Sequence, residues 1–252
     1  MDIHGNTILI TGASAGIGLA LAEAFLNADN RVLICGRREH KLAEAKAKLP
    51  GLEYQVCDVS KREEREELFR WATSRFSEVD VVFNNAGIQR ETDFLTGAAE
   101  LTDGESEIET NLTATVHLCA LFTPYFRSQP GPCAIGIVTS GLAFIPLRIV
   151  PVYCATKAAL HSFSLSLRSQ LSDTNVRVFE VIPPLVNTEL HRGAEARKQG
   201  ARGIAPSRVA AATLQGMKKD RFEIRIGRAR DLVWASRIAP QLFHRMLNRV
   251  VE

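Results

Sequence analysis

The chain has 252 residues, 46% of them hydrophobic and 23% charged, with a formal net charge of +3. This ordinary globular composition suits one sizeable buried core. No apolar run approaches the ~20 residues of a membrane span, and the small charge without a long basic run implies no nucleic-acid partner.

In chain order, short β-branched runs alternate with helical patterns. Residues 6–12 (NTILITG) read as a strand. A helical spacing follows, with Leu19, Ala22 and Leu26 on one apolar face. Residues 31–36 (RVLICG) form a second strand and 39–49 a helix. Residues 52–59 (LEYQVCDV) form a third strand and 61–76 a highly charged helix. Further strands are read at 79–87 (VDVVFNNAG), 133–140 (CAIGIVTS), 176–184 (VRVFEVIPP) and 222–227 (FEIRIG). Such short, Val/Ile-rich runs suit buried parallel strands. Repeated βα units predict one α/β domain: a doubly wound parallel sheet of about seven strands with helices on both faces. Nothing in the sequence reads as a repeat, low-complexity tract or linker, so residues 1–252 are taken as a single domain.

Cys35, Cys57, Cys119, Cys133 and Cys154 are scattered, with no C-x-x-C. An odd count points to buried thiols, not bridges or a metal site. The opening MDIHGNTILITG has no basic n-region or cleavage site, so a cytoplasmic location is expected.

The first strand runs into TGASAGIG, residues 11–18, with glycines at Gly12, Gly16 and Gly18. Glycines at such a strand–helix turn let a backbone approach a pyrophosphate. The helix N-terminus adds free N–H groups and a favourable dipole. A plain glycine-rich turn has the same composition; the place of this one, after the first strand and opening the first helix, favours phosphate binding. No G-K-[ST] follows, which excludes a P-loop.

In VYCATKAAL, Tyr153 and Lys157 stand four residues apart on one helix face. A lysine charge there favours tyrosinate and lowers the phenol from its reference value near ~10. On spacing alone an ordinary neighbour pair is the better reading. Cys154 is placed on another face, with no catalytic role.

Four features occur in order: T-G-x-x-x-G-x-G, the NNAG of residues 84–87, Asn111 in ETNLTA, and Ser140 thirteen residues before the Tyr153–Lys157 pair. The combination resembles the short-chain dehydrogenase/reductase (SDR) family over about residues 7–188. That resemblance implies a Rossmann-like NAD(P)-binding domain and a carbonyl reductase or alcohol dehydrogenase. It assigns catalysis to Asn111, Ser140, Tyr153 and Lys157. Tyr153 carries the proton, Lys157 also holds the nicotinamide ribose, Ser140 donates to the carbonyl oxygen, and Asn111 holds a relaying water. Cofactor contacts are implied at Gly12, Ser14, Ala15, Gly16, Ile17 and Gly18. They continue through Asp58 and Val59 to Asn85, Ala86 and Gly87, then to Pro183, Val186 and Thr188. Asp58 also suits a helix N-cap or turn. No metal is needed.

The second strand ends CGRR. Gly36 stands where an acid would bond the ribose 2′-hydroxyl and favour NAD. Arg37 and Arg38 follow and can pair with a 2′-phosphate, which favours NADP, with NAD use possible. Solvated loop charges are the alternative. Ala15 occupies a position where some NADP-preferring relatives carry a second basic residue.

The sequence departs from the family pattern after the sixth strand, where PPLVNT places Pro184 in a glycine's position. Proline fixes φ and stiffens that loop. The PPLV variant resembles a DltE-like subgroup of the family. Residues 189–207 are expected to be a substrate lid or a flexible surface excursion. Residues 141–151 are mostly apolar and suggest a partly apolar pocket, with Arg148 available to an anion. Around 231–250 the apolar positions Val233, Ile238, Leu242, Met246 and Val250 predict an amphipathic helix interrupted by Pro240. Packing on the chain's own core or a subunit is expected for it; a membrane surface is the alternative. The resemblance implies a homodimer or homotetramer. A catalytically silent NAD(P) sensor or scaffold is the alternative function, and the complete Asn–Ser–Tyr–Lys set argues against it; a dehydratase or epimerase would show altered motifs.

Overall fold

The Val- and Ile-rich runs pair side by side because each is apolar on both faces and needs cover on both. In the computed structural model, strands form at Thr7–Thr11 (β1), Arg31–Gly36 (β2), Leu52–Val56 (β3), Val81–Asn84 (β4), Cys133–Val138 (β5), Val176–Ile182 (β6) and Glu223–Arg225 (β7). The structure describes all residues except 77, 98–100, 102–104, 193–202 and 250–252. The seven strands lie in the order β3-β2-β1-β4-β5-β6-β7, and every pairing is parallel. The seven predicted strands are all present.

Helices connect them: Gly16–Leu26 (α1), Glu39–Lys48 (α2), Arg62–Arg75 (α3), Ala114–Arg127 (α4), Pro151–Gln170 (α5) and Pro206–Lys218 (α6). Successive strand residues face opposite sides. Ile8 and Ile10 therefore join one core, with Leu21 and Phe25 of α1 and Val209 of α6. Leu9 between them joins the other, with Leu68 of α3, Phe122 of α4 and Leu160 of α5. The chain leaves β1 for one side of the sheet and, after β3, returns to β4 on the other. The carboxyl ends of β1 and β4 thus flank the point where the winding reverses, the usual ligand crevice of such sheets.

Two helices follow β7, Ala229–Ile238 (α7) and Pro240–Arg249 (α8). Pro240 separates them as the sequence predicts. Packing on the protein's own core is only partly correct for this segment. Val233 is buried, but Ile238, Leu242 and Met246 are exposed, and Val250 lies outside the described residues. The core contact falls on Ala229, Val233 and Ala235 instead. Of the expected lid, residues 193–202 lie outside the described residues. Its described flanks are tied down: His191–Arg192 pairs with Gln89–Arg90, and Val186 bridges Ile204.

Candidate active site

The phosphate turn is built by backbone proximity. Gly12 has φ +65°, and a Cβ there would lie 2.7 Å from the Cα of Ala86. At Gly18 a Cβ would lie 2.6 Å from Asn85 Nδ2 and 2.7 Å from the Cα of Ala13. No L side chain fits either place without movement. Asn85 Nδ2 donates to the carbonyls of Thr11 (2.9 Å) and Gly12 (3.2 Å), and the Thr11 hydroxyl accepts from the backbone N–H groups of Asn85 and Ala86. The NNAG segment is thereby fastened to the glycine turn. Ala15 caps α1 without a side-chain hydrogen bond, so the side chain at this helix end leaves its N–H groups available. Ser14 lies beside Gly36, Ile17 packs on the core, and Thr188 sits against Gly16. A glycine-rich turn at an uncapped helix N-terminus suits the pyrophosphate of a dinucleotide.

Arg37 and Arg38 are brought beside this turn, and both carry ion pairs. Arg37 makes a two-pronged contact with Glu105, at 2.6 and 3.2 Å. The bond to Glu105 raises the Arg37 pKa further. Arg38 reaches Glu189 at 2.9 Å. Asp58 has a structural partner: its Oδ1 accepts from the backbone N–H (3.0 Å) and hydroxyl (2.8 Å) of Ser60. That is the turn role the sequence also allowed. Val59 is buried, and its carbonyl accepts from Arg65 at 2.6 Å.

The four residues of the expected reaction centre are all buried at one end of the sheet. Pro151 opens α5, where its fixed φ suits the first helical position. Tyr153, Lys157, Leu160, Ser164 and Leu167 then share the inward face of α5. Cys154 is buried in the apolar cluster that includes Tyr153, and its sulfur accepts from the Leu147 N–H at 3.3 Å. Ser140 caps the short turn Gly141–Ala143, its Oγ accepting from Leu142 N at 3.1 Å. Lys157 Nζ donates to the Val138 carbonyl at 2.8 Å and lies 5.7 Å from the Tyr153 ring centre.

The electrostatics correct one expectation. In this state burial outweighs any lowering of Tyr153 by Lys157. Burial pushes the phenol well above its usual range, and the hydrogen bond with Ser140 opposes that rise. Burial also lowers Lys157 to about 8. Desolvation dominates because both groups are buried, Tyr153 within an apolar cluster.

Asn111 lies on a π-helical turn, Ile108–Thr113, that leads into α4. Such turns recur at functional sites. Its Oδ1 accepts from Ile88 N at 2.8 Å, and Nδ2 donates to Ile88 O (2.9 Å) and Thr156 Oγ1 (3.1 Å). Asn111 therefore fastens the segment following NNAG to α5. A Cβ at Gly87 would lie 3.7 Å from Lys157 Nζ. Pro183 accepts from Gly141 N at 3.0 Å, and Val186 is buried beside this loop.

Three residues escaped sequence reasoning. Glu180 is fully buried on β6 and accepts from the Thr139 hydroxyl at 2.7 Å; His161 Nδ1 lies 2.9 Å from its other oxygen. His161 stands one turn beyond Lys157, and its ring contacts Phe144, with ring centres 4.5 Å apart. The pair thus holds Thr139, next to Ser140, and touches Phe144 beyond it. A lone acid within VRVFEVIPP, and a third polar residue at helical spacing after Tyr153 and Lys157, were the legible signals. Glu107 is the third. It is buried, accepts from Arg90 N at 3.1 Å, and its charge opposes ionisation of Tyr153. Only its place four residues before Asn111 hinted at it.

The surroundings of Tyr153 are apolar: Leu147, Val150 and Tyr153 cluster with Leu142, Ile149, Leu190 and Leu247. Arg148 is exposed at its edge.

Comparison with known proteins agrees with this geometry. The short chain dehydrogenase family profile matches residues 6–199. The uncharacterized oxidoreductase DltE of Bacillus subtilis is 51% identical over 239 residues, 94% of each chain. A tropinone reductase homolog of Arabidopsis thaliana is 31% identical, covering 75% of this chain and 72% of that one. Among solved structures, a short chain dehydrogenase from Burkholderia cenocepacia in complex with NADP superposes with a TM-score of 0.82. It is 26% identical and covers 98% of this chain and 99% of its own. A short chain dehydrogenase/reductase from Burkholderia phymatum in complex with NAD shares the fold, with a TM-score of 0.87 at 20% identity over 98% of this chain and 97% of that one. With the profile, the DltE relative and the seven-stranded sheet in agreement, the chain belongs to the short-chain dehydrogenase family of oxidoreductases.

Proposed function

We propose that the protein is an NADP(H)-preferring oxidoreductase acting between a carbonyl and a secondary alcohol, with Tyr153 as the acid and base. The observation that carries this reading is the buried Ser140–Tyr153–Lys157 set at the end of the sheet that also holds the glycine turn. A bound nicotinamide supplies or accepts the hydride.

The remaining work belongs to this chain. Its raised pKa keeps Tyr153 protonated, as an acid must be before it gives a proton to a carbonyl oxygen. Ser140 presents its hydroxyl to the same oxygen as charge develops there. Lys157 stabilises the phenolate left behind, and in the alcohol-to-carbonyl direction that phenolate takes the proton. Asn111 fixes the position of α5 against the segment after NNAG. The apolar cluster around Tyr153 excludes water, which strengthens each of these interactions. Arg37 recognises a 2′-phosphate by exchanging Glu105 for it, and Arg38 does the same with Glu189. The subunits form a homodimer or homotetramer.

Two titrations test the reading. NADPH is expected to bind more tightly than NADH, by about tenfold or more, and Arg37→Ala to shrink that difference, because a charge-assisted contact contributes about 1.5–3 kcal/mol. Equal affinity in the wild type overturns the NADP preference. A panel of ketones and aldehydes is then followed by the loss of NADPH absorbance. Turnover in the wild type that survives Tyr153→Phe would refute the acid–base assignment.

A further inference from the structure

The C-terminal helices leave four large apolar side chains uncovered. Trp234 is 67% exposed, Ile238 66%, Leu242 57% and Met246 53%. They fall in pairs four residues apart, Trp234 with Ile238 on α7 and Leu242 with Met246 on α8, so each pair shares a helix face. Other faces of the same helices are occupied. Val233 and Ala235 are buried, and Leu247 packs into the cluster that holds Tyr153.

Charge collects in the same place. Residues 221–252 carry seven arginines against Glu223, Asp231 and Glu252, a surplus of four. Residues 1–220 carry 24 Lys and Arg against 25 Asp and Glu. The whole positive surplus of the protein therefore lies at this end. Arg230, Arg237, Arg245 and Arg249 are exposed on α7 and α8, where Asp231 is the sole acid. Glu223 is already held by Arg225 and Arg168.

We infer that α7 and α8 dock the protein on an anionic lipid surface, with Trp234, Ile238, Leu242 and Met246 dipping below the headgroups and the arginines among them. Bulky apolar residues beside arginines are what an interfacial helix requires, and tryptophan favours the headgroup depth. The surplus charge selects an anionic surface over a neutral one. A second copy of the chain is disfavoured as the cover. A two-fold contact sets this patch against itself and brings arginines to arginines. Among the described residues no helix is long and apolar enough to cross a membrane, so the attachment is peripheral.

The docked helix also reaches the site. Asn248 of α8 accepts from Arg148 N at 2.6 Å and donates to the Pro146 carbonyl at 3.1 Å. A cleft of about 330 Å³ lies between Phe144–Pro146 and the start of α8. The loop from Ser140 to Tyr153 is thus held by the helix that contacts the lipid.

Flotation with vesicles tests the proposal, using phosphatidylcholine alone and phosphatidylcholine with one-third phosphatidylglycerol. The full chain is expected to float with the anionic vesicles at least ~10-fold more than with the neutral ones, and to be released by 1 M salt as the screening length shrinks. In a Trp71→Phe background, Trp234 emission should shift to the blue on binding. Trp234→Ser with Leu242→Ser, and separately Arg237→Glu with Arg245→Glu, should each weaken flotation about tenfold while leaving NADPH binding unchanged. No flotation with either vesicle, or flotation that both double variants retain, overturns the proposal. So does a dimer that Trp234→Ser with Leu242→Ser converts to monomers without any vesicle binding, because a second copy then covers the face. Retention on polyglutamate resin without vesicle binding assigns the face to an acidic protein and equally overturns it.

Discussion

Lys157 shows how burial sets the terms at single residues. Its pKa of about 8 comes from desolvation, so below that pH the folded protein holds a buried cation. The unfolded lysine titrates near ~10.4. Between these values the unfolded chain binds more protons, and stability rises with pH through that window. Lys157→Met removes the buried charge. It is expected to stabilise the fold at neutral pH by on the order of 3 kcal/mol at most, raising the melting temperature, while abolishing turnover. Calorimetry and the carbonyl assay read the two effects separately. Gly18 gives the opposite case. An alanine Cβ there meets Asn85 Nδ2 at 2.6 Å and the Gly12 carbonyl at 2.7 Å. Overpacking of this kind costs about 1–3 kcal/mol, and the displaced turn should also weaken NADPH binding. Calorimetry and an NADPH titration of Gly18→Ala check both. The glycines and the Ser–Tyr–Lys set were legible because their spacing is itself the signal. Glu180 was not, since its partners Thr139 and His161 lie 41 and 19 residues away in sequence.

Elements rest on pairings that local sequence does not announce. The His161–Glu180 bond joins α5 to β6, and it raises the His161 pKa. Because the folded value exceeds the unfolded one, near ~6.5, this stabilisation is complete below the unfolded value. It is lost as pH rises through the folded value. His161→Gln should therefore lose more stability at about pH 6 than at about pH 9, as urea unfolding at both pH values would show. β4 and β5 depend on a comparable fit. A Cβ at Gly136 would overlap the Phe83 ring. Gly136→Ala is expected to destabilise by about 1–3 kcal/mol, and Phe83→Leu in that background should recover part of the loss in thermal melts. The strands themselves were readable from composition, as buried parallel strands are apolar throughout. The π-turn at Asn111 was not, because ETNLTA has the same apolar spacing as ordinary helix.

Across the whole molecule, the order of elements along the chain, βαβα through seven strands, required a parallel sheet, and the glycine turn after β1 fixed which end binds. Composition, strand runs, the position of Pro240 and the family were all contained in the sequence. Each is a local pattern whose physical cause lies within a few residues. Only the tertiary structure decided three further matters. It set Arg37 and Arg38 against Glu105 and Glu189. It turned Lys157 toward the Val138 carbonyl and raised Tyr153 by burial. It packed Val233 inward but left Ile238, Leu242 and Met246 outside. Burial and charge pairing depend on which distant residues meet, and a helical apolar stripe reads the same whether or not the fold supplies something to cover it.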